Sequence, residues 1–406
     1  MAKPMSRVSR VVVRGPLAPF AAAYALELKS RGYTERSAVN QQRQVAHLSC
    51  WLQREGLSVA ELDPRRVDQF LDRRREQRRS RSQSRPGLAC LLDVLRDRGV
   101  LADEQVSAEA SPEEALLESF RRYLLNERGL VTGTVRGYVD GASWFLASLP
   151  GASGLGSLTA ADVTSAVLRR SEVVSVSTAQ NFVASIKSFL RFCFVEGLVD
   201  ADLSESALAV TGRRRSSLPR GISETDAEAL LGSCDRRTGI GRRDYALILT
   251  LLRLGLRRSE VAALRLDDIG WRAGEVVVAH GKGSRQDRLP LPADVGAAIA
   301  SYLKRGRPVT DRREVFLRAR APYEPIASGT VASTVRRACR RAGIEEVGSH
   351  RLRHTMACDM VEAGVPLVEI AQVLRHHSLQ STAVYARVDL ERLRLLASSW
   401  PGSAQQ

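Results

Sequence analysis

The N-terminal half of this 406-residue chain repeats itself at an offset of 96–98 residues. Arg31-Gly32-Tyr33 matches Arg128-Gly129-Leu130, and Leu62-Asp-Pro-Arg-Arg-Val67 matches Leu158-Thr-Ala-Ala-Asp-Val163. Arg96-Asp-Arg-Gly99-Val100-Leu101 resembles Phe194-Val-Glu-Gly197-Leu198-Val199. These matches read as a diverged duplication, which calls for two small modules, each with its own core, rather than one large one; the alternative is that short helix-and-turn patterns recur by chance. Each copy reads as helical. Leu48 and Leu52 share a helix face in the first, as Phe145 and Leu149 do in the second. A Leu-x-Pro or Leu-Thr step then opens a further helix with a capping-type residue. Residues 102–112 (ADEQVSAEASP) and 211–221 (TGRRRSSLPRG) have linker composition. They divide the chain into a helical extension at 1–101, a helical domain at 112–212 and a C-terminal domain at 220–406.

The C-terminal domain reads as mixed but mainly helical. Asp244–Leu254 is an apolar helix closed by Gly255, and a second helix runs from Arg258 through Leu264. Glu275–Ala279 (EVVVA) predicts a strand, Gly281-Lys-Gly283-Ser a turn, and Arg288–Leu291 a returning strand. Helices are expected at 293–304, 328–342, 350–363, 366–374 and 380–397, the last with Leu390, Leu393 and Leu396 on one face. The expected fold class is therefore mainly α, with a small antiparallel β-element.

Charge narrows the class of partner. Lys+Arg number 61 against 45 Asp+Glu, a net charge of +16, and only five of the cations are lysine. Guanidinium forks match phosphate oxygens in pairs, so the excess favours a polyanion, most simply nucleic acid. An anionic membrane surface is the rival. The 44% hydrophobic content excludes a wholly disordered chain. No apolar run is long enough to span a membrane, and the N-terminus lacks the apolar core and cleavage site of a signal peptide. The six cysteines are dispersed without zinc-ligand spacing and read as buried thiols in a reducing compartment, which places the chain in the cytoplasm. The basic run from Arg73 to Arg81 reads as a solvated face or as a helix end turned to DNA.

Four of the six histidines lie close together: His350, His354, His376 and His377. On a helix, His350, Arg353 and His354 at i, i+3 and i+4 project from one face. Taken singly, each candidate is ordinary. A histidine on a helix face usually packs or caps, Arg257 reads as a charge near a helix end, and Lys282 as the tip of a solvated turn. In chain order they form a pattern: Gly-Leu-Arg257-x-x-Glu260, then Gly-Lys282-Gly-x-Arg285-x-x-Arg-x-x-Pro-Leu291, then His350-x-x-Arg353-His354, then Leu-x-His376 with Tyr385 nine residues later.

That order and those contexts resemble the tyrosine recombinase (phage integrase) family. The resemblance covers the catalytic motifs at about 257–390 and, more weakly, a core-binding helical domain at about 112–205. It implies a clamp-shaped DNA strand-transfer enzyme that needs no cofactor, metal or ATP. In this reading Tyr385 attacks a DNA phosphorus and forms a 3′-phosphotyrosyl bond. A tyrosine hydroxyl is phenolate in only about one molecule in a thousand at pH 7, so it needs help. His350 takes the proton as general base. Arg257, Arg353 and His376 donate to the phosphoryl oxygens, and Lys282 protonates the departing 5′ oxygen. Glu260 holds Arg257, and His354 orients a neighbour. The partners implied are double-stranded DNA with inverted-repeat core sites and further copies of the chain, four to an assembly, with related recombinases as a further option. Arg213, Arg214, Arg215, Arg285 and Arg375 are additional DNA contacts in this reading. Arg375 stands where the family usually has glycine, which predicts a different backbone turn or an extra phosphate contact.

The extension at 1–101 suits the integration, excision or transposition of a mobile element. It either binds separate DNA sites or lengthens the clamp on the core site. The tail carrying Leu393, Leu396 and Trp400 docks on a neighbouring copy or packs on its own domain. A DNA-binding protein on a degenerate recombinase scaffold and a topoisomerase of the same chemistry are the alternative readings.

Overall fold

The computed structural model describes residues 11–76, 85–101, 111–149, 155–212, 221–279 and 286–375. Contacts divide the chain into two units. One comprises Met1–Asp103 with Leu218–Gln406, the other Glu104–Ser217.

The first unit opens with four helices, α1 (Ala21–Ser30), α2 (Glu35–Glu55), α3 (Pro64–Glu76) and α4 (Arg85–Asp97). Thr34 starts α2 by accepting the Ser37 amide, and Gly56 ends it in the left-handed region at φ 68°. Tyr24, Leu28, Val45, Leu48, Leu52, Phe70 and Leu95 form the core of this module. Arg31 bridges Glu27 on α1 and Asp93 on α4 at 2.6 and 2.9 Å. In the basic run, Arg73 pairs with Glu55 and Arg75 with Asp72; residues 77–84 lie outside the described residues.

The second unit is a four-helix module of the same order, α5 (Pro112–Asn126), α6 (Thr132–Ser148), α7 (Ala160–Val173) and α8 (Val176–Val195). Ser111, Thr159 and Ser175 cap α5, α7 and α8 through their hydroxyls. Phe120, Phe145, Phe189 and Phe192 fill the core, with Phe120 edge-on to Phe189 at 5.2 Å. The repeat seen in the sequence extends to local geometry. Gly32 and Gly129 take φ of 77° and 58°, and Gly99 and Gly197 take 67° and 69°. After the fourth helix Val100 N donates to Leu95 O at 2.9 Å, and after the eighth Leu198 N donates to Cys193 O at 2.8 Å. Leu48, Leu52 and Phe145 are fully buried as the sequence suggests. Leu149 is only half-buried, because the backbone turns extended there and ends α6.

The remainder of the first unit contains α9 (Glu224–Gly232), α10 (Gly239–Leu254) and α11 (Arg258–Ala263), then β1 (Ile269–Gly270), β2 (Glu275–Ala279) and β3 (Gln286–Pro290). The helices α12 (Ala293–Arg305), α13 (Ser328–Ala342), α14 (Ser349–Glu362) and α15 (Leu367–Val373) follow. The sheet is antiparallel in the order β1-β2-β3, with Val276 opposite Leu289. α10 starts earlier than its apolar run because Thr238 caps it by accepting the Gly241 amide at 3.0 Å. Two elements have no counterpart in the sequence reading: α9 and the two-residue β1. Ala246, Leu247, Ile248, Leu249, Leu251 and Leu254 are buried around most of the circumference of α10, making it the central helix of this core. Cys50 departs from the expected burial. It is exposed, whereas Cys90, Cys193, Cys234, Cys339 and Cys358 are buried. The turn at 281–284 and the segment 380–397 lie outside the described residues.

Candidate active site

The cluster begins at the end of α10. Gly255 adopts φ 55° and closes the helix in the left-handed conformation. Two residues later Arg257 is the N-cap of α11, with extended backbone. Glu260, in the first turn, reaches back to both ends of that arginine. Its Oε2 accepts the Arg257 backbone amide at 2.7 Å, and its Oε1 accepts from Nη1 at 2.8 Å. The guanidinium's other terminal nitrogen, Nη2, donates to the Arg375 carbonyl at 3.0 Å. The Arg257 side chain is thus held on two sides while 36% of its surface stays open.

Arg353 comes from the middle of α14 and is almost wholly buried, at 1% exposure. It donates to the Gly255 and Leu374 carbonyls, tying the end of α10 to the end of α15. A buried guanidinium is stable only when its donors are occupied in this way. His350 lies one turn before Arg353 on α14 and His354 directly follows it, the two imidazole rings 4.3 Å apart at an interplanar angle of 69°. Desolvation and the charges of Arg353, Arg257 and Arg258 hold the exposed His350 below the usual imidazole range. His354 is pushed down to about 4 by burial, with His350, Arg353 and Arg351 adding to the effect. At neutral pH His350 is therefore a neutral ring able to accept a proton.

Arg375 differs from its expected role as a DNA contact. Its side chain is 2% exposed and donates to Glu260 Oε2 at 2.9 Å. Its backbone takes φ 54°, the one positive φ outside glycine among the described residues. An arginine thus occupies a left-handed turn of the kind that suits glycine, and its side chain folds inward onto a carboxylate. Burial alone would raise the pKa of Glu260, but the charge of Arg375 and the hydrogen bonds from Arg257 outweigh it and lower it. Sequence reasoning missed the Gly255, Leu374 and Arg375 carbonyls. Gly255 carried a signal as a helix terminator; the other two carried none, because a carbonyl is present at every position.

The structure therefore brings Arg257, Glu260, His350, Arg353, His354 and Arg375 together from segments about 100 residues apart. Lys282, Arg285, His376, Tyr385 and Arg213–Arg215 lie outside the described residues. The cluster holds three guanidinium groups, two of them on the Glu260 carboxylate and the third on carbonyls, so it is cationic and suited to a phosphate. Among the described residues no group of His, Cys, Asp and Glu is arranged to hold a metal ion. No described helix is long and apolar enough to cross a membrane.

A mainly helical chain with a small antiparallel sheet and this arginine–histidine cluster has the tyrosine recombinase fold. XerH site-specific recombinase, solved bound to palindromic difH substrate, matches with a TM-score of 0.56 at 18% identity over 82% of this chain and 94% of that one. A lambda integrase (75-356) dimer bound to a COC' core site matches with a TM-score of 0.52 at 16% identity, over 67% and 94% of the two chains. The phage integrase family model matches residues 220–392. The integrase/recombinase y4rA of Sinorhizobium fredii is 39% identical over 397 residues, 96% of each chain. Tyrosine recombinase XerC of Pelobacter propionicus is 32% identical over 283 residues, 68% of this chain and 92% of its own. The chain belongs to the phage integrase (tyrosine recombinase) family and is a site-specific DNA recombinase.

Proposed function

We propose that the chain cleaves and rejoins duplex DNA through a 3′-phosphotyrosyl bond to Tyr385, in the integration, excision or transposition of a mobile element. The observation that carries this reading is the convergence of Arg257 with His350 and Arg353, from two distant segments, into one cationic cluster. Arg257 has open surface with which to meet a phosphoryl oxygen. Arg353, expected to donate to the phosphoryl oxygens, is buried with Nη1 and Nη2 on carbonyls, and in this reading its charge acts through the low-polarity interior, which strengthens it. His350, neutral at pH 7, accepts the tyrosine proton as the phenol oxygen attacks phosphorus. The phosphorus–O5′ bond breaks as the new bond forms, and Lys282 gives the leaving oxygen its proton. His376 adds a donor to the phosphoryl oxygens. Exchanging one phosphodiester for another conserves the bond, so attack by a 5′ hydroxyl of another strand reseals the DNA. The substrate is duplex DNA with inverted-repeat core sites, bound by four copies of the chain. The domains are the extension at 1–101, the core-binding domain at 112–212 and the catalytic domain at 220–406, and the protein works in the cytoplasm.

The test is covalent capture. A pool of nicked duplexes with a randomised core is incubated with wild-type protein, and captured DNA is sequenced and used as substrate. Wild type should give a protein–DNA adduct resistant to denaturant, and Tyr385→Phe none. An adduct formed equally by Tyr385→Phe, or no adduct from wild type on any duplex, would refute the reading.

A further inference from the structure

Arg375 is unfavourable to the fold on two counts. It is the one described residue outside glycine with a positive φ, at 54°, a conformation that a side chain disfavours. Its guanidinium is buried, and Nε meets no hydrogen-bond acceptor among the described residues. A buried donor left without a partner is destabilising. Glycine at this turn would avoid both penalties. A side chain held against its local preferences at the edge of a site indicates a role beyond stability.

The partners of Arg375 define that role. Nη2 donates to Glu260 Oε2 at 2.9 Å, and Nη1 to the Val373 carbonyl at 3.0 Å. The Glu260 side chain is itself 9% exposed and also binds Arg257 Nη1, at 2.8 Å. Burial disfavours the Glu260 charge, and the charge of Arg375 is the strongest influence that keeps it ionised, ahead of Arg257. One carboxylate cancels the charge of one guanidinium. With two guanidinium groups on it, the trio keeps a net positive charge where little water screens it. Arg257 is the open member of the trio, so that charge is presented there. The backbone adds a second hold, because the Arg375 carbonyl accepts Arg257 Nη2 at 3.0 Å.

We infer that Arg375 is a positioning residue for strand transfer: through Glu260 and its own carbonyl it keeps Arg257 open and cationic toward the phosphate. The inference rests on the catalytic reading of Arg257 given above. It assigns Arg375 no contact with DNA, since its guanidinium is buried.

The test compares three replacements in the full chain. Arg375→Gly deletes the side chain and suits the turn, so the carbonyl stays in place. Arg375→Met fills similar space without charge, and Arg375→Lys restores the charge. Either of the first two suffices if the other does not fold. On a nicked duplex captured by wild type, the saturated rate of adduct formation and the half-saturating duplex concentration are measured separately. Arg375→Gly and Arg375→Met should lower the saturated rate about tenfold or more and move half-saturation less than about twofold, while Arg375→Lys stays within about threefold of wild type. Adding Glu260→Gln to Arg375→Met removes the carboxylate whose charge is no longer offset, and should recover about threefold or more of the rate. A second readout does not need the reaction. Phenylglyoxal attacks the neutral guanidine, which a neighbouring positive charge favours, so modification of Arg257 should slow about threefold in Arg375→Met and not in Arg375→Lys. Peptide mass spectrometry follows it. Equal behaviour of the Met and Lys variants, an unchanged Arg257 reactivity, or a half-saturation that moves as far as the rate overturns the inference. A wild-type adduct that the Gly and Met variants form equally fast sinks this inference alone. No adduct from wild type, with the Arg257 reactivity shifted as stated, sinks the catalytic reading and leaves the coupling of Arg375 to Arg257 standing.

Discussion

Replacing Gly255 by alanine probes the joint on which the cluster is built. At φ 55° an added Cβ enters the left-handed region, which costs about 1–2 kcal/mol. The alanine also makes the unfolded chain less flexible, which offsets about 0.5–1 kcal/mol of that. Gly343, at φ 71°, ends α13 in the same conformation, and nothing lies within 4 Å of its missing Cβ. Gly343→Ala therefore isolates the backbone cost, about 1 kcal/mol net. At Gly255 the same Cβ would sit 2.7 Å from Met356 Sδ and 3.2 Å from Leu374 Cδ2. Met356 must change rotamer and Leu374 must shift, adding about 1–2 kcal/mol. Leu374 is also the residue whose carbonyl accepts from Arg353, so the shift loosens the buried guanidinium. Gly255→Ala should then cost about 2–3 kcal/mol, and Gly343→Ala about 1. At about 2–4 °C per kcal/mol for a domain of this size, melting of the purified full chain should fall by about 4–12 °C and 2–4 °C respectively. Adduct formation at a temperature where both variants are folded should be slowed in Gly255→Ala and intact in Gly343→Ala. Equal destabilisation by the two substitutions, with equal adduct rates, would refute the claim that the α10 terminus is tied to the site through Met356, Leu374 and Arg353.

Two further outcomes follow from the packing and the electrostatics. Gly141→Ala should destabilise the second unit by about 2 kcal/mol, because its Cβ would overlap Ser185 Oγ and crowd Ser185 Cβ. Gly137→Ala, which meets open space on the same helix, should stabilise by about 0.5–1 kcal/mol; urea unfolding that ranks the two the other way would contradict the close approach of α6 to α8. His354 should make the fold acid-sensitive. Its folded pKa is pushed down to about 4, so between about pH 6.5 and 4 the unfolded state binds the extra proton and stability falls as pH falls. Allowing for its partial exposure, the loss by pH 5 is on the order of 1–2 kcal/mol. The check is urea unfolding at pH 7 and pH 5 for wild type and His354→Gln; an identical pH difference in the two proteins would rule the histidine out as the cause.

The sequence alone encodes most of the local structure. Glu275–Ala279 is a strand and Ser328–Ala342 a helix over the spans that patterning predicts, because side-chain periodicity and terminators such as Gly255 and Gly343 act through near neighbours. It also determined which residue types stand in the site and in what order. Tertiary structure decided how those residues are used. Arg353 spends donors on carbonyls 98 and 21 residues away, and Arg375 turns inward to a carboxylate 115 residues away. The two-residue β1 exists only through its pairing with β2. An arginine has several donors and no preferred acceptor within its own segment. Its role is therefore set by which distant carbonyls and carboxylates the fold brings near it, and by whether water can still reach it.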